Sequence, residues 1–265
     1  MAVYQLFIAV LKRMALEQEQ IDHYFREGYV ILRGLIPEAD LQRYNQRFLD
    51  FVEGKLALTE DMKIMQDVMI VKGAVTAESK VHEVNKLLCL ENDEVLFDYA
   101  RHPALVAAIQ SLVGDELYSL SSNVFNKPPG VDGRHPMHQD LRYFRLRPAD
   151  GIVGTWTAML PASREHGCLA VLPGTHKLGM LEHSLPEWEY INHGFYAVQD
   201  VDRTDRVHVE MAPGDTLLFH PLIVHGSGQN RSGQFRRAIS VHYASGNCES
   251  PKENWQQVGL TRRIS

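Results

Sequence analysis

Cysteine is scarce. The 265 residues hold three, Cys89, Cys168 and Cys248, an odd number with no Cys-x-x-Cys pair. That excludes a disulfide framework and a zinc knuckle, and it suits a reducing compartment. A membrane-spanning run is also missing. The apolar stretch Val3–Leu11 falls well short of the roughly 20 residues a spanning helix needs. Its cations, Lys12 and Arg13, follow it, the reverse of a secretory signal. Positive charge is in deficit, with 27 Lys and Arg against 33 Asp and Glu and a net charge of −6. This argues against a nucleic-acid partner, while leaving room for a local basic patch facing an anionic substrate. Internal repeats and low-complexity tracts are absent. The ending Arg263–Ile264–Ser265 is not a Ser-Lys-Leu-type peroxisomal address. A cytoplasmic setting is therefore expected, with the peroxisome as the alternative.

What is present reads as a globular chain, 45% apolar and 23% charged. Its first part is expected to be mainly helical. Pro37 opens a helix whose apolar residues Leu41, Tyr44, Phe48 and Phe51 recur at helical spacing, with Gly54 as its end. A second helix runs from Pro103 to Val113 and stops at Gly114. Val30–Leu32 suggests an early strand, and residues 54–85 show no clear period. From Leu117 the texture becomes short β-rich runs, Tyr118–Phe125, His138–Leu146, Ile152–Leu160, Cys168–Leu172, Val207–Met211, Asp215–His220 and Arg237–Tyr243. Pro and Gly clusters separate them, as in a sandwich or barrel. Residues 181–206 read as a long polar loop. The expectation is a mainly β fold with flanking helices, a single domain over residues 1–265. Its helical front spans about 15–115 and its jelly-roll body about 116–245.

The chemistry centres on His138–Gln139–Asp140. Residues i and i+2 of a strand point to the same face, so His138 and Asp140 can grip one metal ion. His225, 87 residues further on, can supply a third ligand from a distant strand. Two imidazoles and one carboxylate form the facial triad of non-haem Fe(II) oxygenases, which leaves positions open for a co-substrate and O2. With 13 histidines in the chain, chance pairings are easy. His208–Val209–Glu210 has the same geometry and, with His220, supports a rival cupin-like site. His135, five residues from Asp140, is expected on the opposite strand face. On the last strand Arg236, Ala238, Ser240 and His242 share one face, while Arg237, Ile239, Val241 and Tyr243 share the other. An arginine there could fork onto the distal carboxylate of 2-oxoglutarate, although the period does not say which face points inward. Gly226–Ser227–Gly228 lacks the third glycine and the following helix of a dinucleotide loop.

The runs RHPMHQDLRYFRLRP, WTAMLPASREHGCLAVLPGTHK and GDTLLFHPLIVHGSGQNRSGQFRRAIS resemble the phytanoyl-CoA dioxygenase family. The resemblance covers about residues 20–250 and is strongest from Asn126 to Tyr243. It implies a double-stranded β-helix, a cupin-like jelly roll with an N-terminal helical segment. It makes His138, Asp140 and His225 ligands of Fe(II), and Arg236 the clamp on 2-oxoglutarate. It also implies that Gln139, Trp156, Ser227 and Lys80 line the co-substrate pocket. Asn123 stands where human-type members carry Met. The implied reaction consumes O2, releases succinate and CO2, and is supported by ascorbate. Its implied substrate is a small molecule, a fatty acyl-CoA hydroxylated at carbon 2. Asp140 also matters within the wider superfamily, because related halogenases replace this carboxylate with a small residue. A hydroxylase of another small molecule, or a non-catalytic metal-binding jelly roll, remains the competing expectation.

Overall fold

A computed structural model describes residues 15–265 except 193, 252, 253 and 258. The apolar stretch Val3–Leu11 with Lys12 and Arg13 lies outside the described residues. Three helices longer than two turns stand in the first half of the chain: α1 (Gln18–Glu27), α2 (Glu38–Val52) and α3 (Pro103–Val113). Helix α1 starts in a capping box formed by Glu17 and Gln20 and ends on Gly28 at φ 85°. Pro37 precedes α2, whose buried residues Leu41, Tyr44, Phe48 and Phe51 are those of the sequence period. Pro103 opens α3 and Gly114, at φ 93°, follows it.

The strands in chain order are β1 (Tyr29–Leu32), β2 (Lys63–Gln66), β3 (Val84–Leu88), β4 (Leu117–Lys127), β5 (His135–His138), β6 (Ile152–Ala158) and β7 (Leu169–Leu172). They continue with β8 (His183–Ser184), β9 (Ala197–Val198), β10 (Val207–Val209), β11 (Thr216–Phe219), β12 (Val224–Ser227), β13 (Arg236–Ser245) and β14 (Arg262–Arg263). The major sheet has the order β1-β11-β6-β13-β4-β3-β2, with β14 added on β4. The minor sheet is β10-β7-β12-β5, and β8 pairs with β9 inside the polar insertion. Strands β2 and β3 arise from the region that showed no period. Strand β2 is the half-exposed edge of the sheet and β3, mostly buried, lies next to it, so neither shows a clean alternation. The expected strand His138–Leu146 is corrected: pairing ends at His138, and Asp140–Tyr143 forms a 3-10 turn.

Both faces of the major sheet are covered. Val124, Val153, Leu218, Ile239, Val241 and Tyr243 pack against Phe48, Tyr99, Leu105 and Ile109 of the helical layer. The opposite face packs Trp156, Ala158, Leu217 and Ala238 against Leu169, Val171 and Val209 of the minor sheet. This is a jelly roll with helices closing one side. No helix among the described residues is long and apolar enough to cross a membrane.

A hydrogen-bonded chain ties the layers together. Tyr99 Oη is 2.7 Å from Thr157 Oγ1, which is 2.6 Å from Thr216 Oγ1. Phe48 has no exposed surface. Phe48→Ala should lower stability by about 3–5 kcal/mol, and Tyr99→Phe by about 1–2 kcal/mol. Urea denaturation measures both, and equal losses would contradict this weighting of cavity against hydrogen bond.

Candidate metal centre

Antiparallel pairing of β12 with β5 sets His225 opposite His138. The two imidazole centroids lie 4.3 Å apart. Asp140 follows β5 across an extended Gln139 at φ −119°, ψ 127°, so it keeps the sidedness of an i, i+2 pair although it is no longer in a strand. Its Oδ1 is 3.0 Å from His138 Nε2 and its Oδ2 3.7 Å from His225 Nε2. One ligand atom from each of the three residues lies within 4.8 Å of the others. Among the described residues this is the one group of His, Cys, Asp and Glu close enough to share an ion.

Backbone carbonyls fix the ring tautomers. His138 Nδ1 is 2.8 Å from Pro136 O, and His225 Nδ1 is 3.1 Å from Ile223 O. A carbonyl can only accept, so each Nδ1 carries the proton and each Nε2 presents a lone pair to the centre. The donor set, two neutral imidazoles and a carboxylate, suits a first-row divalent ion with open positions. Burial alone would push the Asp140 carboxyl up. The imidazoles gathered around it, those of His225, His242 and His138, outweigh burial and hold Asp140 well below the usual carboxylate range. Burial drives His225 down to about 4.

His242 carried no role in the sequence reading. Its Nε2 lies 2.7 Å from Asp140 Oδ2, and its Nδ1 3.3 Å from Ser121 Oγ. It therefore holds the Asp140 carboxylate from the β13 side, and its place on the Arg236 face was the available signal. The expectation for His135 is corrected. Its ring stacks on His138 at 4.1 Å and on Phe195 at 3.9 Å. A register shift between β5 and β12 matches the four residues His135–His138 to the three residues His225–Ser227, and the extra residue of such a bulge turns His135 onto the His138 face.

The triad opens into a cavity of about 400 Å³ lined by Trp156, Ser227, Arg236, Ser240 and His242 together with Met65, Leu88, Phe125, Phe144, Phe195 and Phe219. The β13 face carrying Arg236 thus points inward. Arg236 stacks over Trp156 at 5.2 Å and gives Gly167 O a long bond of 3.3 Å. Its Nε is buried with no partner. Burial lowers its pKa to about 10. Arg237, one residue on, is satisfied: it donates to Asn126 Oδ1 at 3.0 and 3.2 Å and to Asn45, and it stacks on Phe48 at 4.4 Å. A buried guanidinium with unused donors fits an incoming carboxylate.

Two residues expected in this pocket are not there. Gln139 faces away from the cavity, donating to Gly179 O and Leu222 O and accepting from Leu181 N. Three bonds use up its amide, and it ties loops together. Lys80 is exposed and donates to Glu53 O at 3.0 Å. Lys86, on β3, takes the inward place instead, with its Nζ 4.6 Å from the Phe125 ring and 4.5 Å from Phe195. Burial pushes its pKa down to about 8, against the pull of Asp140. The strand that carries it, Val84–Leu88, starts at the end of the stretch 54–85 that showed no period, and so went unread. Ser227 accepts from Lys127 Nζ at 2.8 Å. The rival site does not assemble: His208 lies on β10, and His220 bonds Asp150 at 3.0 Å instead of Glu210.

Residues 24–238 match the family model described as phytanoyl-CoA dioxygenase. A probable phytanoyl-CoA dioxygenase of Caenorhabditis elegans is 43% identical over 238 residues, 87% of this chain and 76% of that protein. The human peroxisomal phytanoyl-CoA dioxygenase is 39% identical over 249 residues, 92% of this chain and 73% of that protein. Among solved structures, the epimerase SnoN in complex with Fe3+, alpha-ketoglutarate and nogalamycin RO matches with TM-score 0.66 at 20% identity, over 92% of this chain and 87% of its own. EvdO2 from Micromonospora carbonacea, complexed with 2-oxoglutarate, matches with TM-score 0.64 at 20% identity, over 90% and 94%. At such identities the structural matches establish the fold. The chain belongs to the phytanoyl-CoA dioxygenase family, and it is a 2-oxoglutarate-dependent dioxygenase with iron as its metal.

The depressed His225 pKa has a consequence for the metal-free protein. Folded His225 stays neutral to about pH 4, whereas an unfolded imidazole protonates near 6.5. Between those values the unfolded state binds more protons, so stability should fall as pH drops from about 6.5 to 4. Buried His135, also held well below its ordinary value, acts in the same direction. Urea denaturation in excess chelator at several pH values checks this, and a midpoint unchanged across the window would contradict it.

Proposed function

We propose that this dioxygenase hydroxylates carbon 2 of a fatty acyl-CoA, with Fe(II) held by His138, Asp140 and His225 and 2-oxoglutarate anchored on Arg236. The observation that carries the reading is the buried Arg236 with its unpartnered Nε, in the same cavity as the triad. A keto-diacid has one end to give the metal and a second carboxylate to give a guanidinium. When bound, the metal supplies the redox chemistry by which O2, 2-oxoglutarate and a C–H bond become an alcohol, succinate and CO2.

The side chains supply orientation. The carbonyls of Pro136 and Ile223 aim both imidazoles, and His242 holds Asp140. Trp156 forms a flat wall under the guanidinium. Ser227, bonded to Lys127, lies beside it as a further polar contact for the co-substrate. No general acid or base is needed. Met65, Leu88 and Phe144 give the cavity an apolar side suited to an acyl chain and to excluding water. The peroxisomal names of the mammalian relatives belong to those proteins. For this chain, three free cysteines fit a reducing compartment such as the cytoplasm.

Succinate release with Fe(II), 2-oxoglutarate and a panel of acyl-CoAs tests the activity, and no turnover on any of them would defeat the substrate assignment. His138→Ala should abolish iron binding while His208→Ala leaves it intact, as read by calorimetry; the reverse pattern would sink the ligand assignment. Arg236→Leu should raise the KM for 2-oxoglutarate about a hundredfold, the loss of a buried charge-assisted pair, with iron affinity kept.

A further inference from the structure

A second cavity of about 610 Å³ lies over the outer face of the minor sheet, where Ala170, His208 and Gly226 form its floor. Its rim carries five arginines, Arg134, Arg164, Arg203, Arg206 and Arg231, all on exposed residues. One lining carboxylate, Asp132, opposes them, and it is taken by Arg134 through contacts of 2.5 and 2.6 Å. Glu210 lies nearby and accepts from the backbone N–H of Arg164 at 2.8 Å. Among the described residues the other four guanidinia pair with no carboxylate. His208 is held below its ordinary pKa by burial first and then by Arg164 and Arg206, which places both cations close to it. In a chain where acids outnumber bases 33 to 27, this concentration of positive charge runs against the overall balance. It marks a site for a multiply charged anion.

Two further features narrow the ligand. Trp188, half-buried at the groove, has the Arg134 guanidinium 4.3 Å from its ring centroid. An aromatic plane beside arginines is the common platform for a nucleobase next to its phosphates. The groove also adjoins the catalytic cavity, because both are lined by His135 and Ser227. The insertion bridges them: Gly194 and Phe195 wall the cavity, while Trp188, Arg203 and Arg206 wall the groove.

We propose that this arginine groove seats the phosphoadenosine diphosphate head of the acyl-CoA, with the pantetheine arm crossing the insertion to bring carbon 2 to the metal. The inference rests on the acyl-CoA reading above. A diphosphate and a separate 3′-phosphate match several dispersed guanidinia, and an adenine matches the Trp188 ring.

The test uses the full chain with two double variants, Arg203→Ala with Arg206→Ala, and Arg164→Ala with Arg231→Ala. Calorimetry on the metal-free protein at about 0.15 M salt measures binding of CoA and of adenosine 3′,5′-bisphosphate. Each double variant should weaken both about tenfold or more, with an unchanged melting temperature. The KM for acyl-CoA should rise similarly at constant kcat, and the penalty should vanish for the pantetheine thioester of the same acyl group. Unchanged binding and KM in both variants, with acyl-CoA still turned over, would overturn the groove assignment and leave the substrate reading standing. Variant-sensitive binding of the bisphosphate with no succinate from any acyl-CoA would keep the groove and sink the substrate reading. Binding of duplex DNA or phosphatidylserine vesicles as tight as that of CoA would also overturn the proposal.

Discussion

The pairing of β12 with β5 is the constraint on which the rest of the site depends. It sets His225 across from His138, with the two rings side by side at 4.3 Å. The two strands can approach this closely because Gly226 has no side chain. A Cβ there would lie 2.8 Å from His135 O and 2.9 Å from Met137 Sδ. The same pairing absorbs the extra residue that turns His135 inward, so the bulge and the glycine are two parts of one local solution. Asp140 then needs only an extended Gln139 to reach the imidazoles. The amide of that glutamine is spent on three backbone groups of neighbouring loops, which fixes the turn.

Strand β13 shows how one element serves two layers. Its ten residues are all buried, since the helical layer covers one face and the minor sheet the other. Arg237 faces the helices and is fully engaged with Asn126, Asn45 and Phe48. Arg236 faces the cavity with donors to spare. Adjacent residues of one type have opposite fates because a strand alternates with a period of two. His242 lies on the Arg236 face, and from there it holds Asp140. One strand thus supplies both a cation with unused donors and the support of a carboxylate from a distant segment.

Much of this was legible in the chain. The helix over 103–113 had a proline at its start and a glycine at its end, and α2 showed its apolar period plainly. The division of β13 into two faces could be read, but not which face looks inward, because both are buried and each begins with an arginine. The 3-10 turn at Asp140 was hidden, since His138–Leu146 looks strand-like and its departure from a strand depends on contacts to Gly179, Leu181 and Leu222. Lys86 was missed for a similar reason. Its strand is short and flanked by the edge strand β2, and Lys80 six residues earlier resembled a pocket residue while its side chain reaches Glu53 O.

Electrostatics explains why such a cavity should take a dianion. Among its lining residues Asp140 is the one acid, while Lys86 and Arg236 both line it and Lys127 stands just behind Ser227. After burial, the next influence on Lys127 is the positive charge of Arg236, which lowers it further, and Arg236 lowers Lys86 as well. The cavity therefore holds cations that disfavour one another in a region of low dielectric. A ligand bringing two carboxylates would relieve that repulsion, without any of these side chains acting on the substrate.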